Sequence, residues 1–157
     1  MKRAACIATL FSTLTLSAHA DSLTYVNDRF GTRITFPVDV FDAIDPPPVN
    51  GDGRRFRSSD GAELAAYGQF NALDLTPQSL IDREKENASE RGRTITYSAS
   101  GADWAVVSGI ENGNTFYERH EFADGVIHSM EMKYPRLASA LYDQLTGQIA
   151  DTLEGPQ

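Results

Sequence analysis

The stretch T-F-Y-E-R-H-E-F-A-D-G-V-I-H-S-M-E-M-K-Y, Thr115 to Tyr134, decides how the rest of the chain is read. Two runs of β character flank Asp124-Gly125, and Asp-Gly between such runs is a strong short-range hairpin signal. The length of both runs makes this pair the expected middle of a sheet. It also carries His120 and His128, the two histidines outside the first twenty residues, so the architecture and the only conventional site chemistry meet here.

Upstream, Thr94 to Ala99 and Trp104 to Ile110 extend the pattern, punctuated by Ser100-Gly101 and Asn112-Gly113. Short turns between consecutive strands make them antiparallel neighbours. Downstream, Leu137, Leu141, Leu145, Ile149 and Leu153 recur at helical spacing, joined by Ala138, Tyr142 and Ala150. Pro135 to Leu153 therefore predicts a helix covering one face of the sheet. Gly147 within it costs about 1 kcal/mol relative to alanine, a cost that close approach of bare backbone to the sheet would explain.

Farther out, Thr76-Pro77 opens an earlier helix with a capping hydroxyl and proline in the first helical position; it is expected to run to Arg91 and stop at Gly92. Leu23 to Val26 and Thr32 to Phe36 predict an opening hairpin, with Gly31 supplying a positive φ, and Val38 to Asp45 reads as a packed connection. Pro46-Pro47-Pro48 and the following V-N-G-D-G form the longest irregular stretch, and Arg54 to Ser58 with Ala62 to Phe70 predict a hairpin around Ser59-Asp60-Gly61. The whole reads as an α+β fold: an antiparallel β-sheet of about six to eight strands flanked by helices.

Residues 1–20 stand apart. Lys2 and Arg3 precede an apolar run from Ala4 to Leu16, and Ala18-His19-Ala20 is a small-x-small cleavage signature, so this segment reads as a secretory signal peptide followed by a single domain over 21–157. The apolar run falls short of the roughly 20 residues that span a bilayer, and no later segment approaches that length, so no stable membrane insertion is expected. Cys6, the only cysteine, lies inside it, leaving the exported chain without thiol or disulfide chemistry. Removing Lys2 and Arg3 takes the formal charge from −8 to −10, which disfavours nucleic acid and anionic membrane as partners. Export without disulfides fits a bacterial periplasmic or secreted protein.

The segments Y-V-N-D-R-F-G-T-R-I-T-F-P, N-G-D-G-R-R-F, S-S-D-G-A, Trp104 to Ser108 and G-V-I-H-S-M-E-M-K-Y-P together resemble a group of uncharacterised exported proteobacterial proteins. Their layout is similar to the PsbP-like and DcrB-like class. The resemblance implies an α/β/α sandwich with the C-terminal helix packed on the sheet. It also implies an accessory or partner-binding role, since members of the class serve in such roles more often than as enzymes.

The candidate chemistry is sparse. If the central loop holds three residues, His120 and His128 face each other and can share a metal ion; if it holds two, His128 pairs with Glu121 and His120 turns to the other face. Arg54, Arg55 and Arg57 are the main cationic cluster of an acidic chain and form the candidate ligand-binding set, a fork for a carboxylate, a phosphate or an acidic segment. Strand alternation sends Arg55 and Arg57 to one face and Arg54 to the other, and local pairing with Asp52, Asp60 and Glu63 competes with any ligand. Asn50-Gly51-Asp52-Gly53 lacks the regular acidic spacing of a helix-loop-helix calcium site, and Asn87-Ala88-Ser89 is a sequon inside a predicted helix. There is no G-x-S-x-G elbow. The expectation is a non-enzymatic binding protein for an unknown protein or small anionic ligand, with no catalytic residues, metal or cofactor assigned. The alternative is a small metal-dependent or carboxylate-based enzyme, hydrolase-like, near His120 and His128, with Glu118 and Glu131 as a carboxylate pair.

Overall fold

The computed structural model describes residues 21–156, so the expected signal peptide lies outside the described residues. The chain opens with β1 (Ser22–Val26) and β2 (Arg33–Pro37), a two-stranded antiparallel hairpin whose turn uses Gly31 at φ 70°, as expected. There follow β3 (Ala43–Ile44), β4 (Gly53–Arg57), β5 (Glu63–Phe70), α1 (Pro77–Glu86), β6 (Arg93–Ser100), β7 (Trp104–Glu111), β8 (Asn114–Ala123), β9 (Val126–Pro135) and, after a 3-10 turn, α2 (Ser139–Ala150). Strands β3 to β9 make one seven-stranded antiparallel sheet in the order β3-β4-β5-β9-β8-β7-β6.

The hairpin that organises the sequence is the middle of this sheet. β9 is the fourth of seven strands, with β8 and β5 as its neighbours. Asp124 and Gly125 take φ 49° and 74°, so both turn residues are left-handed and Ala123 pairs directly with Val126. That is a two-residue turn whose twist matches the strands it joins. Asn112-Gly113 repeats it between β7 and β8, at φ 49° and 86°.

Strand alternation gives the sheet two unlike faces. On one, Phe56, Leu64, Ala66, Met130, Met132 and Tyr134 form a core with Ile34 and Phe36 of the hairpin, Phe41 of the connection, and Tyr142, Ile149 and Leu153. Phe36 meets Phe56 at 4.3 Å between ring centres, and Tyr142 stacks on Tyr134 at 5.1 Å. Burying each such side chain contributes roughly 1.5–3 kcal/mol. On the other face, Leu80 and Ile81 of α1 pack on Ala105, Val107, Phe116 and Ile127. The layers are therefore α2 with the β1–β2 hairpin, the sheet, and α1.

Both helices differ from expectation in detail. α1 begins as predicted, with Thr76 accepting from Ser79 N and Pro77 in the first turn, but it ends at Glu86 with Asn87 as its cap, short of Arg91. Only Leu80 and Ile81 are buried, and no apolar residue anchors a further turn. The sequon at Asn87 thus starts at the helix end. α2 buries Tyr142, Thr146, Ile149 and Ala150, while Leu137 is fully exposed and Leu141 half exposed. The buried stripe is rotated because Tyr142 donates its hydroxyl hydrogen bond to Asp60 at 2.8 Å, which fixes that residue as the helix's anchor. Gly147 is exposed, and a Cβ there would meet nothing within 4 Å, so it allows no close approach to the sheet.

Candidate functional site

The two-residue turn separates the histidines. His128 pairs with Glu121 and His120 with Ser129, which places the imidazoles on opposite faces. His128, fully buried, shares a 2.8 Å hydrogen bond between Nδ1 and Thr32 Oγ1 of the hairpin, and Gly155 closes over its Nε2. Burial pushes its pKa down, opposed by Asp124. His120 faces the α1 side, with Nδ1 2.9 Å from Ser129 Oγ. The shared site that a three-residue loop would have allowed does not form, and among the described residues no three His, Cys, Asp or Glu side chains gather to hold a metal ion.

The same register sets Glu118 directly opposite Glu131. Two carboxylates at that spacing on one face repel unless a cation lies across them. Arg93 of β6 is that cation. Its side chain is fully buried over the Phe116 ring, 4.4 Å from the centroid, with Nε donating to Glu111 at 2.7 Å. Nη1 lies 2.7 Å from Glu118 and 3.4 Å from Glu84, and Nη2 donates to Glu131 at 3.3 Å. Lys133 completes the network at 2.6 Å from both Glu111 and Glu131. Burial alone would raise the Glu118 carboxyl, but His120 and Arg93 outweigh it and hold the pKa at about 2. At 3.7 Å His120 Nε2 lies beyond hydrogen-bond reach of Glu118, so the guanidinium at 2.7 Å is what fixes the carboxylate. Sequence reasoning singled out Glu118 and Glu131 and missed Arg93. The missing signal was the turn length, which makes the two glutamates neighbours and so calls for a buried cation.

A Ser129–His120–Glu118 sequence of side chains results, yet Ser129 is fully buried behind the imidazole and Glu118 is committed to Arg93. No reacting carbonyl could reach that hydroxyl. Nucleophilic catalysis of the triad kind needs an accessible oxygen beside its base.

The arginines divide as strand alternation requires: Arg55 and Arg57 pair with Ala65 and Glu63 on the α1 side, and Arg54 with Ala66 on the other. Arg57 is consumed locally by Asp45, at 2.9 Å, and by Glu63, which removes it from the candidate set. Its hydrogen bond holds the Asp45 carboxyl below the usual range. Arg55 reaches Glu63 only at 3.7 Å, with its side chain 51% exposed. Arg54 donates from Nη1 to the Asp45 carbonyl at 3.2 Å, while its Nε is buried without a partner. Neither Asp52 nor Asp60 takes an arginine: Asp52 accepts from Asn50, and Asp60 binds Tyr142.

Arg54 and Arg55 line one groove of about 320 Å³ with Pro46, Pro48, Gly53 and Tyr67. Gly53 is needed there because a Cβ would meet Tyr67 Cβ at 2.5 Å; its bare backbone serves strand packing rather than a ligand. The groove lies at the β4 edge of the sheet, taking Arg55, Ala65 and Tyr67 from the α1 side and Arg54 and Ala66 from the other, and α1 lies over β6 and β7, away from it. Among the described residues, no helix is long and apolar enough to cross a membrane.

No protein-family model and no curated protein matches this sequence. The fold is similar to the solution structure of cyanobacterial PsbP (CyanoP) from Synechocystis sp. PCC 6803, with a TM-score of 0.64 and 10% sequence identity over 92% of this chain and 98% of that one. The domain thus has a PsbP-like α+β fold. At 10% identity the likeness concerns architecture and not side chains.

Proposed function

We propose that this chain is an exported, non-enzymatic accessory protein, periplasmic or secreted from a bacterial cell after loss of residues 1–20, that binds an acidic protein segment or small anionic ligand in the Arg54–Arg55 groove. The observation that carries the reading is the unequal fate of the three arginines. Arg57 is neutralised by two carboxylates, whereas Arg55 is half exposed and Arg54 keeps an unused Nε on the same groove. An anion arriving there gains charge-assisted hydrogen bonds without first breaking a close ion pair. The loop of prolines beside it is stiff, so ordering it costs little.

Titration of the mature protein with a glutamate-rich peptide and with inorganic phosphate, followed by backbone amide NMR, tests the site. Shifts confined to Gly53, Arg54, Arg55 and Tyr67, weakening with salt and lost in Arg54→Ala/Arg55→Ala, are expected. Unchanged binding by the double variant would sink the assignment. Crosslinking in periplasmic extract supplies the partner comparison, with identical profiles for wild type and variant removing the arginines from the argument. Terminal sequencing of the protein recovered from that fraction should begin at Asp21; an intact Met1 would overturn export.

A further inference from the structure

A second cavity lies on the α1 side of the sheet and shares Tyr67 with the arginine groove. About 420 Å³ in volume, it is enclosed by the sheet, by α1 and by residues 71–75, within the size range of small-ligand pockets. Its polar floor is Glu118, His120 and Tyr67. Glu118 commits Oε1 to Arg93 and turns Oε2 toward His120 Nε2, 3.7 Å away. The His120 side chain is 6% exposed, its Nδ1 is used by Ser129, and its Nε2 has no hydrogen-bond partner. A buried polar atom left unpaired costs about 1–3 kcal/mol, so a group inserted between Oε2 and Nε2 is well rewarded.

The chemistry of that group follows from the floor. Glu118 is ionised over the whole physiological range and can only accept, so the inserted group must donate. The network it belongs to sets Arg91, Arg93 and Lys133 against Glu84, Glu111, Glu118 and Glu131, one carboxylate more than cations, with Arg91 and Glu84 also in the cavity lining, and that excess favours a positive donor. Of the charged residues that line the rest of the cavity, Glu84 and Arg91 pair with each other at 2.6 Å, while Arg83 is exposed with no ion-pair partner among the described residues. Between floor and mouth the wall is apolar, with Leu80 and Ile127 buried and Phe70 and Leu73 exposed at 66% and 62%.

We infer that this cavity binds a small amino-carboxylic acid with an apolar side chain, its amino group between Glu118 Oε2 and His120 Nε2 and its carboxylate toward Arg83. The ordering is set by charge: a cation at the acidic floor, an anion at Arg83, and an apolar body on Leu80 and Ile127. Arg54 and Arg55 take no part in it, so separate variants distinguish the two sites.

Leucine and isocaproate, which share the carboxylate and the apolar body and differ in the amino group, make the test. Calorimetric titration of the mature protein should show leucine binding with isocaproate weaker by at least about tenfold, the penalty for leaving a hydrogen-bonding site unpaired. The His120 Nε2 resonance should move with leucine, and Arg83→Ala, an exposed change that spares the fold, should weaken leucine several-fold. Absence of leucine binding at millimolar concentration, equal binding of the two acids, an unmoved Nε2 resonance or an unaffected Arg83→Ala variant would each overturn the inference.

Discussion

The two faces of the central hairpin are made from the same residues taken alternately, yet they are held by different physics. β9 turns Met130, Met132 and Tyr134 to the α2 side and Ser129, Glu131 and Lys133 to the α1 side. The first set packs into a continuous apolar core, whose stabilisation is non-directional and indifferent to charge. The second builds a network in which Glu84, Glu111, Glu118 and Glu131 all reach the one guanidinium of Arg93. The lesson is one of division: the apolar face fixes the fold, while the charged face, stable only when fully paired, is the one that carries the cavity over Glu118 and His120.

The sharpest way to break the comparison is to remove one anchor from each face. Arg93→Met leaves the buried Glu118 with only Arg91, 3.8 Å away, while Lys133 still serves Glu111 and Glu131, and should cost about 3–5 kcal/mol in urea unfolding. Met130→Ala on the apolar side should cost about 2–5 kcal/mol by cavity formation. The two differ in what rescues them. Glu118→Gln added to Arg93→Met should recover part of the loss, since it removes the orphaned charge, and should recover none of the Met130→Ala loss. Equal rescue of both would mean that the faces are not energetically separate.

Acid sharpens the same contrast. The Glu118 carboxyl is held at about 2 in the fold against an ordinary value of 4.5, burial being outweighed by His120 and Arg93. A depressed carboxylate contributes stability that is complete above pH 4.5 and lost as pH falls from there toward 2, a few kcal/mol in all. Unfolding free energy measured across that window should slope downward into acid for wild type and for Met130→Ala alike. The slope should flatten in Glu118→Gln, and a wild-type slope retained there would remove Glu118 as its source.

What the sequence showed and what it hid divide along the same line. The strands, their punctuation, the N-terminal cap of α1 and the antiparallel meander were readable because Asp124-Gly125, Asn112-Gly113 and Thr76-Pro77 act locally. The choice between facing and opposed histidines hung on one residue of turn register, which reverses every side chain beyond it. With the register known, the glutamate pair and Arg93 follow. The arginine cluster was visible as a cluster, but not that Asp45, from the packed connection, would consume Arg57: of the suggested partners Asp52, Asp60 and Glu63, Glu63 does pair, while Asp52 is taken locally by Asn50 and Asp60 by Tyr142 across the fold.

His128 gives a smaller effect from the opposite face. Burial lowers its folded pKa below the ordinary 6.5, with Asp124 opposing, so the unfolded chain takes up the proton first. Stability is therefore complete above pH 6.5 and falls as pH drops below it toward the folded pKa. His128→Gln should remove this shallow slope between neutral and mildly acid pH without altering the steeper one below pH 4.5. The groups facing the ring are Thr32 from the hairpin and Gly155 from the C-terminal segment, neither of which titrates in that window. A single merged transition, shifted whole by His128→Gln, would show the two faces titrating as one.

The smallest expected change lies where neither face is involved. Gly147 sits in α2 on its exposed side, with open space where a Cβ would project and no positive φ to protect. Gly147→Ala should therefore stabilise the protein by about 0.5–1 kcal/mol, because glycine loses more backbone entropy on entering a helix. Gly109→Ala is its counterpart inside the sheet: there a Cβ would be driven into the Thr94 carbonyl of the neighbouring strand, so the same change of one methyl group should destabilise. Thermal unfolding of the two variants reads the signs directly. A loss of stability for Gly147→Ala would mean that the outer side of α2 packs against something in solution, and would make that surface, rather than the charged face of the sheet, the first place to look for a partner.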